Sequence, residues 1–176
     1  MSCSLKIYSD FDHNISIKKY KTFGWPDHEK LEIKNNPLYN ELTENVIRRE
    51  VAVQLNKKGY LFSELQPDLR MHYHIVLEGW ANNPDPFGYE YDSYWLNRDI
   101  HLYELREGTL IIDLADPKTD FLVWRGWVVN FKNQKKPNQI EKQIKKAALK
   151  IFEEFPLQEN QFVAQTNQIV HNHRVN

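Results

Sequence analysis

Hydrophobic and polar positions change period several times along the chain, and each change marks an element. From Lys6 to Asp12, Ile7, Ser9 and Phe11 alternate with Tyr8, Asp10 and Asp12, the two-residue period of a strand, and Asp12, His13 and Asn14 supply a turn. Lys18 to Trp25 reads as a second strand closed by Pro26. Asn36 then offers an N-cap with Pro37 at the first helical position. Leu38, Leu42, Val46 and Val53, flanked by Ile47 and Val51, form an apolar stripe that stops at Gly59. The spacing predicts a helix from about Leu38 to Lys57 that turns Leu42 and Val46 towards a sheet, with Lys57 and Lys58 at its negative end.

Leu69, Met71, Tyr73, Ile75 and Leu77 alternate with Arg70, His72, His74, Val76 and Glu78, which predicts a half-buried strand with both histidines on its polar face. The pattern loosens from Gly79 to Tyr103, with a long turn at Asn82 to Pro86 and a further strand around Asp99 to Leu105. Gly108 to Trp127 carries two apolar runs around a polar Asp-Pro turn, a β-hairpin signature. Centring its loop on Pro117, Lys118 and Thr119 sets Leu114 opposite Leu122, Ile112 opposite Trp124 and Leu110 opposite Gly126. Asp113 and Arg125 then become diagonal neighbours on the other face, an ordinary cross-strand ion pair. After Pro137 and Asn138, Ile140, Ile144, Ala147, Ala148, Ile151, Phe152 and Phe155 recur at helical spacing until Pro156 ends the run.

This order, roughly ββα-βββ(β)-α, predicts an α+β fold in which two helices pack on one face of a mostly antiparallel sheet whose other face is partly polar. One domain spans residues 6–156, between a tether at 1–5 and an Asn/Gln-rich extension at 157–176 with short apolar runs that can dock as a strand. Repeated strand-helix-strand units are absent, which disfavours a doubly wound nucleotide-binding fold.

Composition narrows the chemistry. With 176 residues, 41% of them hydrophobic, the chain buries a core without covalent staples. Its 23 basic and 24 acidic residues nearly cancel, so no global field draws it to nucleic acid, and no such partner is expected. Cys3 is the only cysteine, which excludes an internal disulfide and a cysteine-rich metal cluster. The glycines are too dispersed for a phosphate-cradling loop, and neither Gly-x-Ser-x-Gly nor His-Glu-x-x-His occurs. Asp10 and Asp12 share a strand face but precede a turn, which explains them without acid–base chemistry. Nothing nominates a nucleophile, and no cofactor is expected. No apolar run reaches the length of about 18 residues needed to span a bilayer, so the chain as it stands is expected to be soluble.

Several short motifs follow one another along the chain: Asp10-Phe11-Asp12, Tyr20-Lys21-Thr22-Phe23-Gly24-Trp25, Lys58-Gly59-Tyr60, Pro67-Asp68-Leu69, Gly108-Thr109-Leu110, Asp113, Asp116, Val123-Trp124-Arg125-Gly126 and Glu154-Phe155-Pro156. Over about Lys6 to Pro156 this set resembles a family of uncharacterised bacterial lipoproteins, domain of unknown function number four-one-three-six. Members of that family begin with a secretory leader running into a lipidated cysteine, and Ser2-Cys3-Ser4 is similar to that junction with the leader replaced by Met1. The resemblance implies a lipid anchor on Cys3 and a domain hung from a cell-envelope membrane, facing the periplasm. Each acyl CH₂ buried adds about 0.8 kcal/mol to such anchoring.

Other residue groups invite functional readings. His72 and His74 are spaced to offer two imidazole nitrogens to a metal, with Glu78 on the same face and His101 elsewhere, but two ligands make no site, and both are expected to face solvent. His171 and His173 repeat the spacing in the tail. Trp80, Phe87, Tyr89, Tyr91, Tyr94 and Trp95 gather among polar residues as a candidate partner-binding surface. Lys132, Lys135, Lys136, Lys142, Lys145, Lys146 and Lys150 can meet anionic headgroups, though most fall opposite the apolar stripe of the last helix and read as its solvated face. The expectation is a non-catalytic envelope lipoprotein that serves as a binding or assembly module. The alternatives are a carrier of an apolar or lipid-like ligand between helices and sheet, and a metal-dependent enzyme centred on His72 and His74.

Overall fold

The computed structural model describes residues 5–11, 13–25, 41–76, 108–129 and 137–158. In chain order these form β1 (Lys6–Phe11), a 3₁₀ turn (Ile17–Lys19), β2 (Thr22–Gly24), α1 (Glu41–Lys57), β3 (Leu61–Phe62), β4 (Leu69–Val76), β5 (Thr109–Ala115), β6 (Leu122–Val129) and α2 (Pro137–Ile151). The strands lie in the order β1-β6-β5-β4-β2-β3. Contacts among β1, β6, β5 and β4 are antiparallel, and β2 runs parallel to both β4 and β3. The fold is the expected α+β arrangement, with both helices on one face of the sheet.

That face is the main core. Leu69, Met71, Tyr73 and Ile75 of β4 join Leu110, Ile112 and Leu114 of β5 and Trp124 and Val128 of β6 against Ile47, Val51 and Leu55 of α1 and Ile144, Ala147 and Ile151 of α2. Gly126 makes room for this packing. A Cβ there would collide with the Trp124 ring and lie 2.6 Å from Ile151 Cγ2, so the absent side chain lets the indole lie along the strand. Trp124 stacks on Phe152 and meets Phe155 edge-on, and Tyr60 packs against Phe155, so aromatic rings occupy the space between these elements.

The structure departs from the sequence reading at definite points. Lys18 to Trp25 is not one strand, because the 3₁₀ turn consumes its beginning and leaves only Thr22–Gly24 extended. The buried face of α1 comprises Thr43, Val46, Ile47, Glu50, Val51, Gln54 and Leu55, whereas Leu42 and Val53 are 56% and 39% exposed. Glu50 is tolerated there because Arg49 Nε and Nη2 donate to its Oε1, and Arg49 Nη2 also reaches Glu141 Oε1 on α2 at 2.7 Å. The proposed cap Asn36 and first residue Pro37 lie outside the described residues.

The stop of α1 falls where expected. Gly59 has φ 91°, Tyr60 N–H donates to Leu55 O and Gly59 N–H to Asn56 O, which together form a Schellman termination. By contrast, α2 ends at Ile151 rather than at Pro156. Its last turn tightens through Glu153 N–H to Lys150 O and Phe155 N–H to Phe152 O, and this turn delivers Phe152 and Phe155 into the core.

The hairpin register is displaced by two residues from the one expected: Leu114 pairs with Trp124, Ile112 with Gly126 and Leu110 with Val128. The loop is longer than the three-residue centre assumed. Asp116 N–H donates to Phe121 O, Asp120 N–H donates to Asp116 O, and Asp120 turns the chain at φ 54°. An irregularity at Leu114 and Ala115 takes up the remainder. A shift of two preserves which residues share a face, so the core assignment survives the error.

Candidate functional site

Directly opposed residues of antiparallel strands share a face, so the far side of the sheet carries Asp10, Arg125, Asp113 and His72 in one row across β1, β6, β5 and β4. Tyr8, Trp127, Ile111 and His74 form the next row. Asp113 and Arg125 stand opposite each other rather than diagonally. Arg125 Nε donates to Asp113 Oδ1 at 2.5 Å and Nη2 to Oδ2 at 2.6 Å, a two-point contact to a carboxylate that is fully buried. His74 Nε2 lies 3.7 Å from Asp113 Oδ2.

His74 does not face solvent as expected; it is buried, while His72 is half-buried. Burial pushes the His74 imidazole down to about 4, opposed by Asp113 and assisted by the charges of Arg125 and His72, so it is neutral at pH 7. Alternation along β4 does not reveal that part of the second face is buried too. Thr109, Ile111, Ala115 and Val129 are all buried there, outside the main core. Among the described residues no three metal-binding side chains cluster, and both Asp113 oxygens are engaged by Arg125.

A different surface is open. At the far end of the strand order, Trp25, Glu64, Leu65, Gln66, Pro67, Asp68, Arg70, Pro117 and Lys118 line a cleft of about 490 Å³, within the range of small-molecule and side-chain pockets. Hydrogen bonds tie its walls together. Asp68 Oδ2 accepts the Lys21 and Thr22 N–H groups, and Asp68 N–H donates back to Thr22 Oγ1 at 2.8 Å. Burial acts to raise the Asp68 carboxyl, but these hydrogen bonds and the Lys118 charge prevail and hold it below its usual range. Trp25 meets Tyr73 edge-on and has the Arg48 guanidinium 4.9 Å from its ring centre. Arg70 contacts Asp120 at 3.3 Å, and Leu65 is 92% exposed beside Leu61 and Phe62, each more than half exposed. The cleft joins an indole, two prolines and a bare leucine to charges of both signs.

A model of the family described as a domain of unknown function, DUF4136, matches residues 7–157. The chain belongs to the DUF4136 family. A crystal structure of a DUF4136 family protein from Bacteroides thetaiotaomicron is similar to it at 19% identity and a TM-score of 0.62, covering 89% of this chain and 98% of that one. That likeness is one of fold. A PDZ domain protein from Parabacteroides distasonis is more remote, at 13% identity and a TM-score of 0.48, covering 82% of this chain and 34% of that one. PelC from Paraburkholderia phytofirmans, crystallised as a dodecamer, is similar at 9% identity and a TM-score of 0.43 over 85% of this chain and 97% of that one. No curated protein matches the sequence.

Within this DUF4136 domain several of the motif residues singled out in the sequence serve as joints. Tyr20 Oη donates to Asp116 Oδ2, and Asp116 Oδ1 accepts the Lys118 N–H, so the hairpin loop is tied to the chain before β2. Gly24 lies against Ser63 O and Pro67, with no space for a side chain. Of the candidate site residues, His72 and His74 are placed by the sheet as described above. Cys3, Trp80, Phe87, Tyr89, Tyr91, Tyr94 and Trp95 lie outside the described residues, as do His101, His171, His173 and the additional strand at Asp99 to Leu105. Lys142, Lys145 and Lys146 are exposed on α2, and Lys150 pairs with Glu153 at 2.7 Å, as a solvated helix face requires. Sequence reasoning missed the cleft, although Trp25 and Pro67 were both among its motif residues. Only folding brings Tyr20–Trp25, the β3–β4 turn and the hairpin loop together.

Proposed function

We propose that this DUF4136 protein is a bacterial cell-envelope lipoprotein acting as a non-catalytic binding or assembly module. Acyl chains on Cys3 hold it to a membrane facing the periplasm, and the Trp25 cleft receives an apolar side chain from a protein partner. The observation that carries this reading is the cleft itself. Leu65 is 92% exposed at its rim, a large apolar side chain left in water beside a fixed indole. Charges of both signs around it supply orientation. The similarity of Ser2-Cys3-Ser4 to a lipidation junction supports the anchor, and Cys3 stands only three residues before β1.

The test is affinity capture from the native membrane with the parent protein, Trp25→Ala and Leu65→Asp, alongside a Trp80, Tyr94 and Trp95 alanine variant for the aromatic segment. Loss of one partner with both cleft variants, at unchanged circular dichroism, supports the cleft. Unchanged recovery removes it, and loss confined to the aromatic variant moves the contact surface there. Incorporation of labelled fatty acid into the native gene product, abolished by Cys3→Ser, tests the anchor; absence of label in the parent overturns it.

A further inference from the structure

The opposite end of the strand order presents another surface, which does not depend on the cleft. Among the described residues β1 is paired on one side only, with β6, and all of its residues are exposed. Exposed edges of this kind carry unpaired backbone N–H and C=O groups and are usually blunted by brevity, proline, a bulge or charged side chains, and of these devices β1 has only the charges of Lys6 and Asp10. This edge has no proline, runs for six residues without a register shift, and exposes Ile7, Tyr8 and Phe11 at 38%, 37% and 49%.

From this edge we infer that β1 pairs antiparallel with β1 of a second copy of the chain, about a two-fold axis through Tyr8. The sequence of the strand is complementary to itself in that register. Pairing the whole segment Leu5–Phe11 with its own reverse sets Lys6 opposite the second copy's Asp10, and Asp10 opposite its Lys6, so two opposite-charge pairs form on the far face. Tyr8 meets the second copy's Tyr8 on the same face. Each tyrosine already stacks on Trp127, with ring centres 5.3 Å apart and planes 16° from parallel, so the junction becomes a row of four rings. On the helix face, Leu5 meets Phe11 and Ile7 meets Ser9. Lys6 has no ion-pair partner among the described residues of its own chain. A one-residue slip would set both charges against apolar or small residues and bring opposite faces of the two sheets together. The product is a continuous sheet across two copies, with the helices of both on one side.

Charge exchange tests the register. By sedimentation or light scattering the parent reaches the mass of a dimer as concentration rises, whereas Lys6→Glu and Asp10→Lys, each with two like-charge pairs, stay at the monomer mass. Mixing the two variants restores complementary pairs and returns the dimer mass. A parent that remains monomeric at all attainable concentrations, or a mixture that stays monomeric, overturns the proposal.

Because Asp10 stands opposite Arg125, Asp10→Lys can disturb its own chain, and a second measurement stands apart from it. In a Cys3→Ser background, Tyr8→Cys cross-links to itself under mild oxidant and Ser9→Cys does not. Cross-linking through Ser9→Cys instead, or through neither, refutes the Tyr8 axis. A dimer surviving Trp25→Ala and Leu65→Asp keeps this result separate from the fate of the cleft.

Discussion

Asp113 and Arg125 face each other across β5 and β6 with two short hydrogen bonds, and the carboxylate they share is fully buried. Removing one member strands the other charge in a low-dielectric interior, a loss of about 3 to 5 kcal/mol. Arg125→Met and Asp113→Leu are therefore each expected to lower the urea midpoint sharply. The double variant, which leaves no charge behind, should be more stable than Arg125→Met alone. A double variant that loses the sum of the two single losses would show that the pair is not coupled.

His74 contributes its own pH dependence to folding. Its folded value is lowered to about 4 against 6.5 unfolded, so the unfolded chain binds the extra proton between those values. Stability is complete above pH 6.5 and falls as pH drops towards 4, by on the order of 3 kcal/mol. Urea titrations at pH 7 and pH 4.5 should differ in the parent. The difference should shrink in His74→Gln, whatever that change costs at pH 7.

Gly126→Ala is a test of packing rather than of backbone freedom. The added methyl meets the Trp124 ring and Ile151 Cγ2, so strain of about 1 to 3 kcal/mol is expected, seen as a lower melting temperature together with altered tryptophan fluorescence. An unchanged emission spectrum would mean that the indole does not lie over Gly126.

Asp68 is the joint beneath the cleft. Asp68→Ala removes acceptors for two backbone N–H groups and is expected to cost about 2 kcal/mol. With its folded value depressed, the carboxylate's contribution is complete above pH 3.8 and disappears as pH falls through the folded value. Parent and variant should therefore converge in stability in strong acid; a gap that persists there would assign the loss to packing.

Much of the fold was legible in the sequence because it rests on local rules. The two-residue period of Leu69 to Ile75 marks β4 and its core face, the helical recurrence of Ile144, Ala147 and Ile151 marks α2, and Gly59 ends α1 because its backbone needs a positive φ. The errors fall where a neighbour decides. Val46 and Ile47 serve the core while Leu42 and Val53 do not, because the angle at which α1 meets α2 and the sheet selects one arc of a broad stripe. The hairpin register depends on how Asp116 and Asp120 close the loop, and no count of residues gives that geometry.

Family, α+β class and the residues of β4, β5 and β6 that share a face can all be read along the chain, since periodicity and motif order are local properties. Tertiary structure alone decided that His74 is buried beside the Asp113–Arg125 pair, and that Trp25, Leu65, Pro67 and Lys118 surround one cleft. Burial of a second sheet face and the convergence of three distant turns are long-range events. Their free energy belongs to contacts between segments, and no local pattern records which segments will meet.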